Sequence, residues 1–214
     1  MHDLSQPIET GMQTYPGDPE VRVEQADTYP EDGCRVEAVF CGSHTGTHVD
    51  APSHTEAEGR TLDSYAVTDF VLDTLRVDCR DLDARDPIPP ERVPAGFDAE
   101  SADCVVFWTE WDEHWNTEQY LDHPYLPPAA AQRCAERGLA VGTDTLNPDP
   151  TPTENVADDE PDGFAAHHAL LGEDCLIFEN LTNLGAVGER FELRAYPLKL
   201  GGDGAPVRAV GVPE

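Results

Sequence analysis

The stretch HTGTHVDAPSH, His44 to His54, holds three histidines and one aspartate, a density of side chains that points to metal chemistry. His48 and Asp50 stand two apart, which places both on one face of extended chain. The residues between His44 and His48 can fold the first imidazole back beside the second. Gly46 suits the turn this requires, while Ala51 and Pro52 make a compact, stiff exit. Three of the eight histidines of the chain lie here, so incidental loop histidines account for the segment poorly. Imidazole mixed with carboxylate suits zinc, manganese or iron, whereas calcium and magnesium prefer all-oxygen shells. From composition alone, His44, His48, Asp50 and His54 are all candidate ligands.

A second group lies far along the chain in HHALLGEDCLIFENL, with His167, His168 and Glu179. If the two groups converge, three or four imidazoles meet two carboxylates. That exceeds the needs of one catalytic zinc, and because carboxylates can bridge, the expectation is two divalent ions, zinc first and manganese next. HExxH and zinc-finger spacings are absent. Trp108, Trp111 and Trp115 either line an aryl pocket or pack in the core and at surfaces. His114 and His123, in the same region, read as solvated loop residues.

The elements that must position these groups follow from periodicity. VRVEQA and CRVEAVF alternate around the turn signal YPEDG, so Val21 to Phe40 reads as a hairpin or two neighbouring strands. The histidine-rich segment therefore starts at a strand end. Further strands are expected at Thr74 to Cys79 and Asp103 to Trp111. A helix over Pro127 to Arg137, with proline in its first turn and Gly138 as terminator, leads into a buried strand ending at Asp144. Asn147 to Gly163 is rich in proline and acid and reads as a surface loop. FAAHHALLG is a short helix, CLIFENL a strand, and FELRAYPLKL with PVRAVGV the closing strands. The sum is an α/β fold, a strand-rich mixed sheet with few helices.

At 214 residues the chain is expected to form a single domain, 1–214. Its formal net charge is −30, from 43 acidic against 13 basic residues. Such a surface repels nucleic acid and anionic membrane. Since 39% of residues are hydrophobic, a packed core is expected beneath it rather than disorder. Strong acidity implies self-repulsion that salt would screen, so the expected setting is the cytosol of a salt-accumulating organism. Six scattered cysteines without a CxxC pair read as buried, reduced thiols. The N-terminal residues carry no secretory signal pattern and no stretch is long enough to span a bilayer, so a cytoplasmic location is expected.

Taken together, YPGDP, HTGTHVDAPSH, GTDTLNPD, HHALL followed by FENLTNL, and YPLKLGGDGAPVRAV resemble the metal-dependent cyclase family, whose best-known members are bacterial-type kynurenine formamidases (arylformamidases). The motifs run from Tyr15 to Val210 in the family's order. The resemblance implies a swivelling β/β/α domain, usually a homodimer. It implies metal ligation by His44, His48 and a bridging Asp50, completed by His167 and Glu179, with His54 as catalytic acid/base. His168 is then left to pack or hydrogen-bond nearby. The implied reaction is hydrolysis of a small amide by a metal-bound water, N-formylkynurenine giving kynurenine and formate. Tyr15 stands where kynurenine formamidases carry a substrate-contacting tryptophan; it can stack on an aryl ring, and other cyclic or aryl amides such as isatin are alternative substrates. A non-catalytic metal-binding dimeric scaffold is the reading from another class.

Overall fold

The computed structural model describes residues 1–95 and 101–213. Ten strands are described: β1 (His2–Asp3), β2 (Arg22–Asp27), β3 (Val36–Phe40), β4 (His48–Asp50), β5 (Val71–Asp78), β6 (Cys104–Trp108), β7 (Ala140–Thr143), β8 (Ile177–Glu179), β9 (Arg190–Pro197) and β10 (Gly204–Pro213). Among the described residues three α-helices accompany them, α1 (Tyr29–Asp32), α2 (Pro128–Ala135) and α3 (Ala165–Leu171). Short 3-10 turns fill most of the connections.

Seven strands run side by side in the order β10-β4-β8-β7-β6-β5-β9, and pairing of β9 with β10 closes them into a barrel, with β1 added along β10. β5 to β8 are joined by parallel pairings in the order β5-β6-β7-β8. The remaining pairings are antiparallel. The expected strand-rich mixed α/β fold with few helices is thus the fold observed, with its sheet wrapped shut.

Strand alternation decides what lies inside. In β6 all five residues are buried. Cys104, Val106 and Trp108 join Phe178, Leu193 and Ala209 in the barrel interior. Val105 and Phe107 point the other way and meet Val141, Ile177, Ala131 of α2 and Leu170 of α3. A strand buried on both faces reads as a continuous apolar run, as CVVFW does. α2 is alanine-rich where it touches the sheet, with Ala130, Ala131 and Ala135 buried, so the helix packs close to the strands.

β2 and β3 form a separate two-stranded sheet. It carries the expected hairpin, with α1 at the YPEDG turn, and most of its residues are exposed. Two corrections follow from placement. Cys34 and Cys41 flank β3 and are exposed, so only Cys79, Cys104, Cys134 and Cys175 are buried thiols; all six are free. The loop expected at the surface from Asn147 to Gly163 is buried at its start, at Asn147, Asp149 and Thr151.

Candidate metal centre and active site

The centre sits on the outer face of the barrel, where β4 meets β8. Register pairs His48 with Glu179, Val49 with Phe178 and Asp50 with Ile177. Val49 and Phe178 fill the interior, so the period of two turns His48, Asp50 and Glu179 to the opposite side. His48 and Glu179 are direct cross-strand neighbours. Three residues of β4 and β8 thereby place an imidazole and two carboxylates together with no side-chain freedom wasted.

His44, His48 and His167 each have one ring nitrogen tied down and the other aimed at this face. His48 Nδ1 donates to the Gly46 carbonyl at 2.8 Å, and its Nε2 lies 3.2 Å from Asp50 Oδ1 and 3.2 Å from Glu179 Oε2. His167, on α3, holds Nδ1 2.7 Å from Asp149 Oδ2, and its Nε2 lies 3.2 Å from Glu179 Oε1 and 3.5 Å from Asp50 Oδ2. His44 Nε2 meets Asp203 Oδ2 at 2.9 Å, and its Nδ1 is 2.7 Å from Asp50 Oδ1. Fixing one nitrogen by a hydrogen bond so that the other faces inward is how metal-binding histidines are held.

Local structure explains each placement. Gly46 has φ +58°, a conformation that favours glycine, and this folds His44 back until its ring centroid is 5.1 Å from that of His48. In α3, Ala166, His167, Leu170 and Leu171 are buried, a helical stripe that brings His167 to the centre and leaves His168 outside. Asp149 stabilises the start of that helix as well as the His167 ring. Its carboxylate accepts the backbone N–H of Ala166 at 2.7 Å and of His167 at 3.1 Å, groups that have no partner within the helix.

The residues fit a divalent ion on the evidence of unmet polar atoms. His48 Nε2, Asp50 Oδ2 and Glu179 Oε1 are buried without a hydrogen-bond partner, an arrangement that costs stability unless something occupies the space between them. Two groupings share Asp50: His44 with His48 and Asp50, and Asp50 with His167 and Glu179. A carboxylate common to both is what a bridging ligand would look like. Burial alone would lower the His48 and His167 imidazoles, but the surrounding carboxylates outweigh it and push both well above the ordinary histidine value. Burial would raise Asp50, yet His48 and His44 beside it hold it well below the usual carboxylate range. Positive charge is therefore strongly favoured at this spot.

His54 lies just beyond, at the end of a 3-10 turn begun by Pro52. Its ring is 4.0 Å from that of His44 and 5.5 Å from that of His167, and its side chain is 27% exposed. It lines a cavity of about 320 Å³ with His44, His48, His167 and Glu179. Tyr15, Pro16, Leu146 and Phe164 supply the apolar wall, and the Tyr15 and Phe164 rings stand 6.1 Å apart. A concave site with aromatic walls and a few convergent polar groups is the usual form of a small-molecule site.

The structure brings together all of His44, His48, Asp50, His54, His167, Glu179 and Tyr15. His168 is exposed and pairs with Glu56 at 2.8 Å, outside the cluster. The tryptophans do not line the cavity. Trp108 packs inside the barrel, while Trp111 and Trp115 pack with Tyr120 and Leu146 behind Tyr15. His123 is a correction: it is buried, its Nδ1 donating to Pro124 O at 2.8 Å and its Nε2 accepting from Thr151 Oγ1 at 2.9 Å. Asp149, Phe164 and Asp203 escaped sequence reading. Asp149 and Asp203 belong to the quoted motifs GTDTLNPD and YPLKLGGDGAPVRAV, the only signal that marks them.

Comparison with known proteins points the same way. The cyclase family model ("Putative cyclase") matches residues 2–150. A kynurenine formamidase of Salinibacter ruber is 33% identical, across 97% of this chain and 95% of that protein. Among solved structures, an isatin hydrolase bound to the product analogue thioisatinate has a TM-score of 0.84 at 23% identity, covering 100% of this chain and 92% of that one; that likeness is one of fold. A structure described as a potential metal-dependent hydrolase with cyclase activity has a TM-score of 0.78 at 25% identity, covering 100% of this chain and 97% of that one.

Proposed function

This chain belongs to the cyclase family, and from that premise we propose that it is a metal-dependent amide hydrolase acting on an aryl formamide, N-formylkynurenine first. The observation that carries the reading is the buried set of unpartnered atoms on His48, Asp50 and Glu179 at the floor of an aromatic-walled cavity. His44, His48, Asp50, His167 and Glu179 would hold two divalent ions, with Asp50 between them. Bound there, such ions lower the pKa of water to about 7 and polarise a carbonyl.

The chain's own groups do the rest. Tyr15 and Phe164 receive the aryl ring, which sets the formyl carbon over the carboxylate floor. His54 takes the proton of the attacking water and passes it to the departing nitrogen, because an amine leaves poorly unless protonated. The products are the free arylamine and formate. A scaffold with a structural metal would have no use for an imidazole beside the ligands or for an open cavity.

Zinc fits the donor types first and manganese next. A homodimer belongs to the same proposal: Val36, Val39 and Phe40 are exposed on a two-stranded sheet, and such a sheet is marginal by itself. One domain, a cytoplasmic setting suited to six free thiols, and a salt-rich environment complete it. The acidic surface leaves a small amide as the expected ligand and gives nucleic acid no foothold; no described helix is long and apolar enough to cross a membrane.

Substrate assays on the chelated protein, after zinc or manganese is returned, test the reading. N-formylkynurenine should be turned over faster than isatin or formanilide. Faster ring opening of isatin would move the assignment to a cyclic amide, and inactivity toward all three would remove the function.

A further inference from the structure

We infer that Asp203 is a positioning residue that anchors the His44 ring and fixes the tautomer of His54, and that Gly204 makes room for it to do so. The inference rests on the reading of His54 as the proton carrier. One oxygen, Asp203 Oδ2, lies 2.9 Å from His44 Nε2 and 3.3 Å from His54 Nδ1. A carboxylate oxygen accepts hydrogen bonds and donates none, so both ring nitrogens carry hydrogen. His44 Nδ1 faces a second carboxylate oxygen, Asp50 Oδ1, at 2.7 Å, so Asp203 anchors that ring without choosing its tautomer; on His54 it leaves Nε2 as the nitrogen free to take and return a proton.

The turn that carries Asp203 is pinned from two sides. Its carbonyl accepts the N–H of Ala51 at 2.8 Å, and the carbonyl of Gly202 accepts the N–H of Leu62 at 2.9 Å. Gly204, the next residue, pairs with Asp50 at the start of β10. A Cβ at Gly204 would lie 2.6 Å from His44 Cε1, so the imidazole lies flat on the strand where any side chain would displace it. With His44 lying there and the tilted His54 ring 4.0 Å from it, both imidazoles come within reach of one carboxylate. His44, His54 and Asp203 are also close enough to hold an ion. Their facing atoms already have hydrogen-bond partners, however, whereas His48 Nε2, Asp50 Oδ2 and Glu179 Oε1 have none, and the hydrogen-bonded reading is preferred for that reason.

The test compares the wild type with Asp203→Ala and Asp203→Asn. Long-range 1H–15N spectra of the metal-free protein report which nitrogen of each imidazole is protonated, and need no substrate. In Asp203→Ala, His54 should shift from the Nδ1–H toward the Nε2–H form. With metal restored to saturation, kcat should fall roughly 10- to 100-fold while KM stays within about threefold, and Asp203→Asn should lie between. Should Asp203→Ala fail to fold, the near-isosteric Asn variant should show the same changes in the same direction, to a smaller extent. Unchanged His54 resonances, or a kcat within about twofold of wild type, would overturn the inference. A changed spectrum with no activity on any amide would instead count against the substrate assignment and leave the positioning role standing.

Discussion

His54 differs from the histidines beside it in a way that separates its role from theirs. His48 and His167 are buried and face two carboxylates, while His54 is partly exposed, touches the cluster only through ring contacts and Asp203, and opens on the cavity. Replacing it with alanine should lower kcat by about 10²- to 10⁴-fold, the usual contribution of a positioned proton carrier, and leave the metal content of the purified protein unchanged. Elemental analysis beside steady-state kinetics checks this; loss of metal in the variant would make His54 a ligand. Of the candidate ligands, His48 and Asp50 were legible because their spacing matches the strand period, which turns both one way, whereas His167 and Glu179 were marked by the family resemblance. Asp203 and Asp149 were not, since they act through contacts 149 and 18 residues away and aspartate is common in this chain. Phe164 was hidden for the same reason: a lone aromatic at a helix start has no pattern around it.

Elements were legible where one period dominates. CVVFW and AVGT read as strands and AAHHALL as a helix; both strands are buried, and the helix buries His167 and leaves His168 exposed. The acidic loop after β7 was not legible, because its order comes from distant partners. Arg85 donates to the Thr151 carbonyl at 3.1 Å and pairs with Glu160, drawing both ends of the loop to one guanidinium. Thr151 links Asn147 to His123, each at 2.9 Å. Because Nδ1 is committed as a donor and Nε2 as an acceptor, His123 is held neutral, and burial pushes its pKa from 6.5 down to about 4. Below pH 6.5 the unfolded chain binds a proton that the native state refuses, so stability falls with pH through this window and levels off near pH 4. The slope is about 1.4 kcal/mol per pH unit and the total roughly 3 kcal/mol. Chemical denaturation of wild type and His123→Gln at steps from pH 7 to pH 4 should show the wild-type advantage shrinking by that amount; a constant difference would contradict it.

At the scale of the whole molecule, closure of the sheet was beyond sequence reading. It depends on β9 and β10 meeting after a full circuit, and the pattern of either strand would serve an open sheet equally well. The net charge of −30 was plain from composition, and its consequence is physical. Screening length falls from about 10 Å at 0.1 M salt to about 3 Å at 1 M, which removes most of the repulsion among surface carboxylates. The melting temperature should therefore climb steadily with KCl, and a flat or falling curve would exclude adaptation to salt. The central claim, that the convergence of β4, β8 and α3 makes a hydrolytic metal centre, is tested most directly by following N-formylkynurenine hydrolysis during chelation and zinc return while circular dichroism reports the fold. Activity should vanish with the metal, the barrel should persist, and activity should recover as zinc is added back. Full hydrolysis by the metal-free protein, or collapse of the fold on chelation, would contradict the account.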